Sequence, residues 1–482
     1  MAALGPPKPG VNCVLIMKKK LLVIFLVLMA AATAAAQEAT PSQVLGVRRQ
    51  LPNGLVWLFS EQRSLPLVQV NLLIKGGVLG DPPGKAGLAN LTALLLTQGT
   101  KSRSAGQIAE EVDFLGAKLS ASGSDDFVSV GLTVLKKDLE PGLALLQDIL
   151  LNPAFNKDEI KRKVSQLQAS FKTDEDDPGI VASRAFHRRL FGENPYAYPP
   201  KGTPTGLKAI ERQDLVDFHK KFYRPNNAIL TVVGDLSFQE AQEWVVKIFG
   251  EWQAEPVSLP KVPPPPGVAA AQTIVVDKDI TQANIIWGHL GLARDNPDFY
   301  ALQVLNYILG GGGFASRLLT NIREKRGLVY SASSSFDAGL EPGAFAIGLE
   351  TKNETAGEAV AQVIHEVEKI RTQPVSTEEL GGAKSYLIGS FPAKMDSVAK
   401  RAALLAYVEF YGLGLDYPWR YPSLIEDLTP ADIQKTAQKY LHPERYLLVV
   451  VGKRSELPEF APPAPSPGEK ENKHDTGKKN QP

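Results

Sequence analysis

One stretch of this 482-residue chain occurs twice. IERQDLVDFHKKFYRPNNAILTVVGD at 210–235 aligns without a gap with LTPADIQKTAQKYLHPERYLLVVVGK at 428–453. Asp214 falls on Asp432, Lys221 on Lys439, Pro225 on Pro443 and Gly234 on Gly452. Each copy reads as a helix, a turn marked by proline and a buried strand, "AILTVV" or "YLLVVV". A chain built this way is constrained to fold the same unit twice, and its length already exceeds what one compact core holds. Between the copies, the prolines of PVSLPKVPPPPGV (256–268) favour an extended, semi-rigid linker. The expected division is a domain over 44–255, a linker over 256–270 and a second domain over 271–456.

Inside the first half, Val68, Val70, Leu72 and Ile74 alternate with Gln69, Asn71 and Leu73, the pattern of a strand with one strongly apolar face. Leu88, Leu91 and Leu95 then keep helical spacing behind the loop GGVLGDPPGKAG. The second half offers the same pair, a strand at NIIWGHLGL and a helix marked by Leu302, Leu305 and Leu309. Mixed strands and helices in each half predict an α+β chain of two tandem homologous α/β sandwich domains.

A net charge of +1 with 22% charged residues provides no overall field for nucleic acid or an acidic substrate. The N-terminus looks like an address. From Met17, Lys18, Lys19 and Lys20 form a basic region, Leu21 to Leu28 an apolar one, and Ala34-Ala35-Ala36 a small-residue cleavage site before Gln37. That predicts a signal peptide over 1–36, export to the periplasm or outside the cell, and no stable membrane span after processing. Residues 1–16 do not suit such a signal, so Met17 is an alternative start. The single cysteine, Cys13, lies there, and the processed chain has no disulfide or thiol chemistry. Residues 457–482 are too polar and proline-rich to pack, and read as a disordered tail.

GLANLTALLLTQGT (87–100) looks like the zinc helix of the pitrilysin/insulinase family of metallopeptidases, which includes the mitochondrial processing peptidase. Active members of that family carry His-x-x-Glu-His here, inside the same Gly-Leu-Ala … Gly-Thr frame. Two histidines four residues apart share a helix face and bind zinc, while the Glu activates water. In this sequence those places are Asn90, Ala93 and Leu94. Ala and Leu have no donor atom, and a neutral Asn oxygen is a poor zinc ligand. The family's further acid should fall within KRKVSQLQASFKT (161–173), which has none. The six histidines (His187, His219, His289, His365, His442 and His474) stand far apart, and HEVEK at His365 lacks a second His. The expectation is no metal and no other cofactor in this chain. The resemblance covers about residues 45–455, including RAFHRRLFGENPYAYPPKGTPTGLKAI with Tyr196 and Gly202-Thr203, and then Gly234-Asp235.

GGGGFASRLLTNIREKRGLVYSASSSF (310–336) is intact. Ser316 to Arg326 read as a helix with Leu318, Leu319 and Ile322 on its apolar side, Gly327 as its stop, and LVYSAS as the start of a strand. Without a Gly-Lys-Ser/Thr ending, the glycines suit a flexible turn better than a phosphate loop. The resemblance implies more. An Arg and a Tyr seven residues apart reach into the family's zinc cleft and hold substrate, and they match Arg323 and Tyr330. By themselves, the REKR run would read as a solvated helix face and Tyr330 as a strand aromatic; the frame "SRL…RGL.Y" favours the functional role.

Some bacterial and mitochondrial members divide the enzyme between two subunits. The resemblance implies that this chain is the subunit without zinc, paired with a zinc-bearing homologue and acting on peptides or unfolded polypeptide. The alternative is a non-enzymatic structural or peptide-binding protein of the same fold. A self-sufficient peptidase is a third reading, which the missing ligands nearly exclude.

Overall fold

The computed structural model describes Gly5 and residues 43–460. The signal peptide expected over 1–36, and residues 461–482 of the expected tail, lie outside the described residues.

Two mixed sheets organise the described chain. β1 (Val47–Gln50), β2 (Val56–Glu61), β3 (Leu67–Lys75), β4 (Lys118–Gly123), β5 (Phe127–Leu135) and β6 (Ala228–Gly234) form the first, in the order β1-β2-β6-β3-β5-β4. β7 (Gln272–Asp277), β8 (Gln282–Leu290), β9 (Val329–Ala338), β10 (Pro342–Lys352) and β11 (Leu447–Gly452) form the second, in the order β7-β11-β8-β10-β9. Without β1 the two orders coincide strand for strand. In each half the last strand enters the middle of the sheet, parallel to one neighbour and antiparallel to the other. The duplication read from the sequence is therefore a duplication of topology.

Helices cover both faces, among them α1 (Leu88–Leu96), α2 (Lys157–Asp174), α3 (Pro178–Phe191), α4 (Arg212–Phe222), α5 (Phe299–Asn306), α6 (Ala356–Thr372), α7 (Thr377–Ser390), α8 (Val398–Phe410) and α9 (Pro430–Tyr440). The repeated aspartates have one job in both copies. Asp214 accepts the Glu211 N–H at 2.8 Å and Asp432 accepts the Thr429 N–H at 2.9 Å, closing capping boxes that start α4 and α9. Pro225 and Pro443 then follow the two helices and lead into β6 and β11, whose residues are all buried.

The two halves exchange helices. α3 belongs to the first half by sequence, yet Ala182, Phe186, Leu190 and Phe191 share a core with Leu447, Val449 and Val451 of β11. Reciprocally, Leu404, Leu405 and Val408 of α8 share a core with Leu58, Leu73, Ile229 and Val233 of the first sheet. Ala228, Leu230 and Val232, on the opposite face of β6, share a different core with Leu88, Leu91 and Leu95 of α1. This follows from the two-residue period of a strand: β6 is apolar on both sides, so it needs a helix on each. Polar contacts hold α8 in place, with Arg401 Nε donating to Ser60 Oγ at 2.7 Å and Arg48 paired with Glu409 at 2.9 Å. The proline-rich linker has no regular structure and runs past the end of α3, where the Gly267 N–H donates to the Leu190 carbonyl at 3.1 Å.

Phe186 is fully buried, with its ring end 3.0 Å from where a Cβ on Gly288 would stand. Truncating such a ring typically costs about 3–5 kcal/mol. Phe186→Ala is expected to lower unfolding free energy by that order in guanidinium titrations. Both halves should still unfold in one transition, because each sheet is covered by the other half's helix. Two separated transitions would show that the halves are independent.

Candidate functional site

The zinc-type helix is present and has become core. α1 starts behind Gly87, and Asp81 takes the place of a capping side chain: its carboxylate accepts the Gly87 N–H at 2.7 Å and the Ala89 N–H at 2.8 Å. Asn90 is buried, and its Oδ1 accepts the Gly123 N–H of β4 at 3.0 Å. Ala93 is fully buried and Leu94 half-buried. None of the three offers a ligand atom free for a metal. α2 carries the acid-free segment 161–173, and the acid that follows it, Asp174, is engaged by Arg184 and Lys201. Both cations also lie over the Phe171 ring, at 5.3 and 4.9 Å. His365 is exposed on α6 while the adjacent Glu366 is buried, so HEVEK forms no second centre. Among the described residues no three His, Cys, Asp or Glu side chains are grouped to hold a metal ion.

The glycine-rich motif differs from its expected form in two ways. First, the helix expected over Ser316–Arg326 is largely a π-helix, Leu319–Lys325, and a second π-helix at Tyr307–Gly311 precedes the loop. Such widened turns are uncommon and concentrate at functional sites. Leu318, Leu319 and Ile322 are buried as expected, and Gly327, at φ 65°, ends the helix before β9. Second, the glycine run starts from a tightly packed residue, Gly310, and then reaches the surface, where Gly311 and Gly313 are exposed. A Cβ on Gly310 would stand 2.5 Å from Ser334 Oγ and 2.7 Å from a Leu318 methyl, so only glycine lets the chain pass. Arg317 anchors the far side through a two-pronged contact with Glu379 of α7, at 2.6 and 2.8 Å. That guanidinium draws the Glu379 carboxyl down to about 2.

This mount brings Arg323 and Tyr330 together. The Arg323 guanidinium carbon lies 5.3 Å from the Tyr330 ring centre, and Tyr330, on the edge strand β9, is 74% exposed. No hydrogen bond or ion pair to the Arg323 guanidinium exists among the described residues, so its N–H donors are available.

A cavity of about 590 Å³ lies where the β4–β5 and β9–β10 turns meet, with Asp125, Asp126, His187, Asp337, Tyr407 and Tyr411 among its walls. Arg323 and Tyr330 do not line it. Its hub is the buried Asp126, which accepts from the Tyr196 hydroxyl, from the Tyr411 hydroxyl at 2.8 Å and from the Leu340 N–H at 3.0 Å. Asp126 thereby ties the first half to the second. Sequence reading passed over it, although two adjacent acids in SDDF directly before an apolar strand were a signal.

Comparison with known proteins agrees with this geometry. Residues 58–203 match the family model "Insulinase (Peptidase family M16)", and residues 209–387 match "Peptidase M16 inactive domain". An uncharacterized zinc protease of Rickettsia bellii is 27% identical over 394 residues, 81% of this chain and 93% of that protein. A protein of Helicobacter pylori named as a non-peptidase homolog is 26% identical, over 75% of this chain and 83% of its own. The crystal structure of a peptidase M16 inactive domain from Pseudomonas fluorescens superposes with a TM-score of 0.80 at 29% identity, covering 86% of this chain and all of that one. A protease from Helicobacter pylori, at 23% identity and a TM-score of 0.78, shares the fold.

The cap on α1 makes a pH-dependent prediction. Burial pushes the Asp81 carboxyl up to about 7, against the pull of the N–H groups of Ala89, Gly87 and Leu88. The folded state thus holds this proton more tightly than the unfolded chain does. The group's contribution to stability is full at low pH and is lost as pH rises through 7. Melting temperatures followed by circular dichroism from about pH 5 to about pH 8 should shift in favour of Asp81→Asn, relative to the unmodified chain, as pH rises. A constant difference would show that Asp81 does not titrate in that range.

Proposed function

This chain belongs to the insulinase-like M16 peptidase family, and from that premise we propose that it is the zinc-free subunit of a two-chain metallopeptidase. The observation that carries the reading is an asymmetry. The zinc positions Asn90, Ala93 and Leu94 are committed to packing, while Arg323 and Tyr330 stand together with their donors unused. The inactive-domain match and the relative named as a non-peptidase homolog support a non-catalytic role for the chain alone. A homologous partner would supply the zinc and the activated water. Arg323 would donate a charge-assisted hydrogen bond to the carbonyl oxygen of a bound peptide, and the Tyr330 hydroxyl a second. Donors already aimed at an oxygen that gains negative charge lower the barrier without reorganising. The substrate class is peptide or unfolded polypeptide, and the signal-like residues from Met17 to Ala36 support action in the periplasm or outside the cell.

The test is copurification from the native host with metal analysis. The chain alone should carry no stoichiometric zinc and cleave no peptide, whereas its complex should do both. Arg323→Ala or Tyr330→Phe should lower peptide hydrolysis by the complex by about 10²–10³-fold, with assembly and melting temperature nearly unchanged. Arg323→Lys should also be impaired, since an ammonium cannot reproduce the planar fork. Normal assembly with undiminished hydrolysis in both variants would instead favour a structural or peptide-binding protein. N-terminal sequencing of the secreted material is expected to begin near Gln37; retention of Met17 would count against export by this signal.

A further inference from the structure

We infer that Phe314 is a positioning residue for Arg323: the glycine-rich mount exists to lay this exposed ring against the guanidinium and so aim its N–H edge outward. The inference rests on the reading of Arg323 as a substrate donor, and concerns what holds that donor in place.

Phe314 is 70% exposed, so its ring stands at the surface and is not part of a buried core. Its ring is nevertheless engaged, because the Arg323 guanidinium carbon lies 5.2 Å from the ring centre, nearly the same distance as from Tyr330. A guanidinium is a flat cation whose faces stack on aromatic rings while its donors stay in the plane. Rings against the faces therefore restrict a long, rotamer-rich side chain without consuming any N–H. An aspartate or glutamate partner would also fix Arg323, but would occupy the donors that substrate needs.

The backbone around Phe314 is built to deliver this ring. Gly313 holds φ 59°, a conformation that L side chains rarely adopt, although a Cβ there would meet nothing within 4 Å. Glycine at this position serves the direction of the chain and not a lack of room. The Gly313 carbonyl is then held by the Oγ of the fully buried Ser316 at 2.7 Å. Arg317 follows, locked to Glu379. Phe314 is thus fixed on both sides within a few residues. At the receiving end the π-turn matters. Its i→i+5 bonding widens the turn and changes the directions of the side chains within it relative to an α-helix. Arg323 sits inside that turn and meets both rings.

The test uses the full processed chain, labelled selectively with ¹⁵N-arginine. The Nε–Hε signal of Arg323, assigned by its loss in Arg323→Lys, should be shifted upfield by ring currents. Phe314→Leu keeps an apolar side chain but removes the π face, and should move the signal towards that of an exposed arginine; Phe314→Trp should keep it shifted. A signal unmoved by Phe314→Leu overturns the positioning role whatever the chain's function. In the complex with the zinc-bearing subunit, Phe314→Leu should lower hydrolysis of a quenched-fluorescent unstructured peptide several-fold, and Phe314→Trp should restore it. In an Arg323→Ala background the same change should have no further effect. An equal loss in both backgrounds would show that Phe314 acts on its own and overturn the inference. If Arg323→Ala leaves hydrolysis intact, the subunit proposal fails, while the arginine signal still decides the role of Phe314.

Discussion

The architecture depends on the exchange of helices between halves. β6 and β11 are apolar on both faces, and a half made only of its own elements could dry one face of its sheet but not the other. α3 and α8 supply the missing covers, each from the opposite half. Burying one large apolar side chain is worth about 1.5–3 kcal/mol, so a helix that buries several contributes a substantial part of a typical folding free energy. The halves are homologous in topology but not autonomous in energy. Asp126 adds a polar bolt at the same junction, and as a buried carboxylate it is tolerated there because three donors satisfy it.

This dependence explains how the fold tolerates the replacement of the zinc-ligand residues in α1 by Asn90, Ala93 and Leu94. A catalytic zinc sits on a surface that the fold already provides, so removing its ligands does not unfold the chain. In α1 the replacement went further. Asn90 stitches the helix to β4, and Ala93 extends the core that α1 shares with β6. The helix thus contributes through packing and through this hydrogen bond. The second half carries two π-helices, a glycine at Gly310 that leaves no room for a side chain, and the exposed rings of Phe314 and Tyr330.

Much of this could be read beforehand, and what could not has a physical reason. The repeat was visible because a capped helix, a proline turn and a strand buried on both faces constrain side chains locally, as Asp214 and Asp432 show. The empty zinc helix was visible because ligand chemistry is a matter of residue type at fixed spacing. Helix exchange was not. Phe186 and Leu190 mark an apolar face, but an apolar face carries no address and would suit either sheet equally. The π-helices escaped because the spacing of Leu318, Leu319 and Ile322 fits a 3.6-residue period. The close packing at Gly310 escaped because it is set by Ser334 and Leu318 across the fold, not by the glycines themselves.

The position of α8 also bears on the order in which the chain is made. Synthesis proceeds from the N-terminus, and the first sheet is complete in strands once β6 has emerged at Gly234. Its outer face nevertheless stays bare until residues 398–410 follow, and the second sheet waits for its central strand until Gly452. A nascent chain of this protein can thus close the core on one face of its first sheet early, from residues 51–252, but not the core on the other face. The junction between the halves is therefore the part of the fold that closes last, once residues 398–452 have emerged.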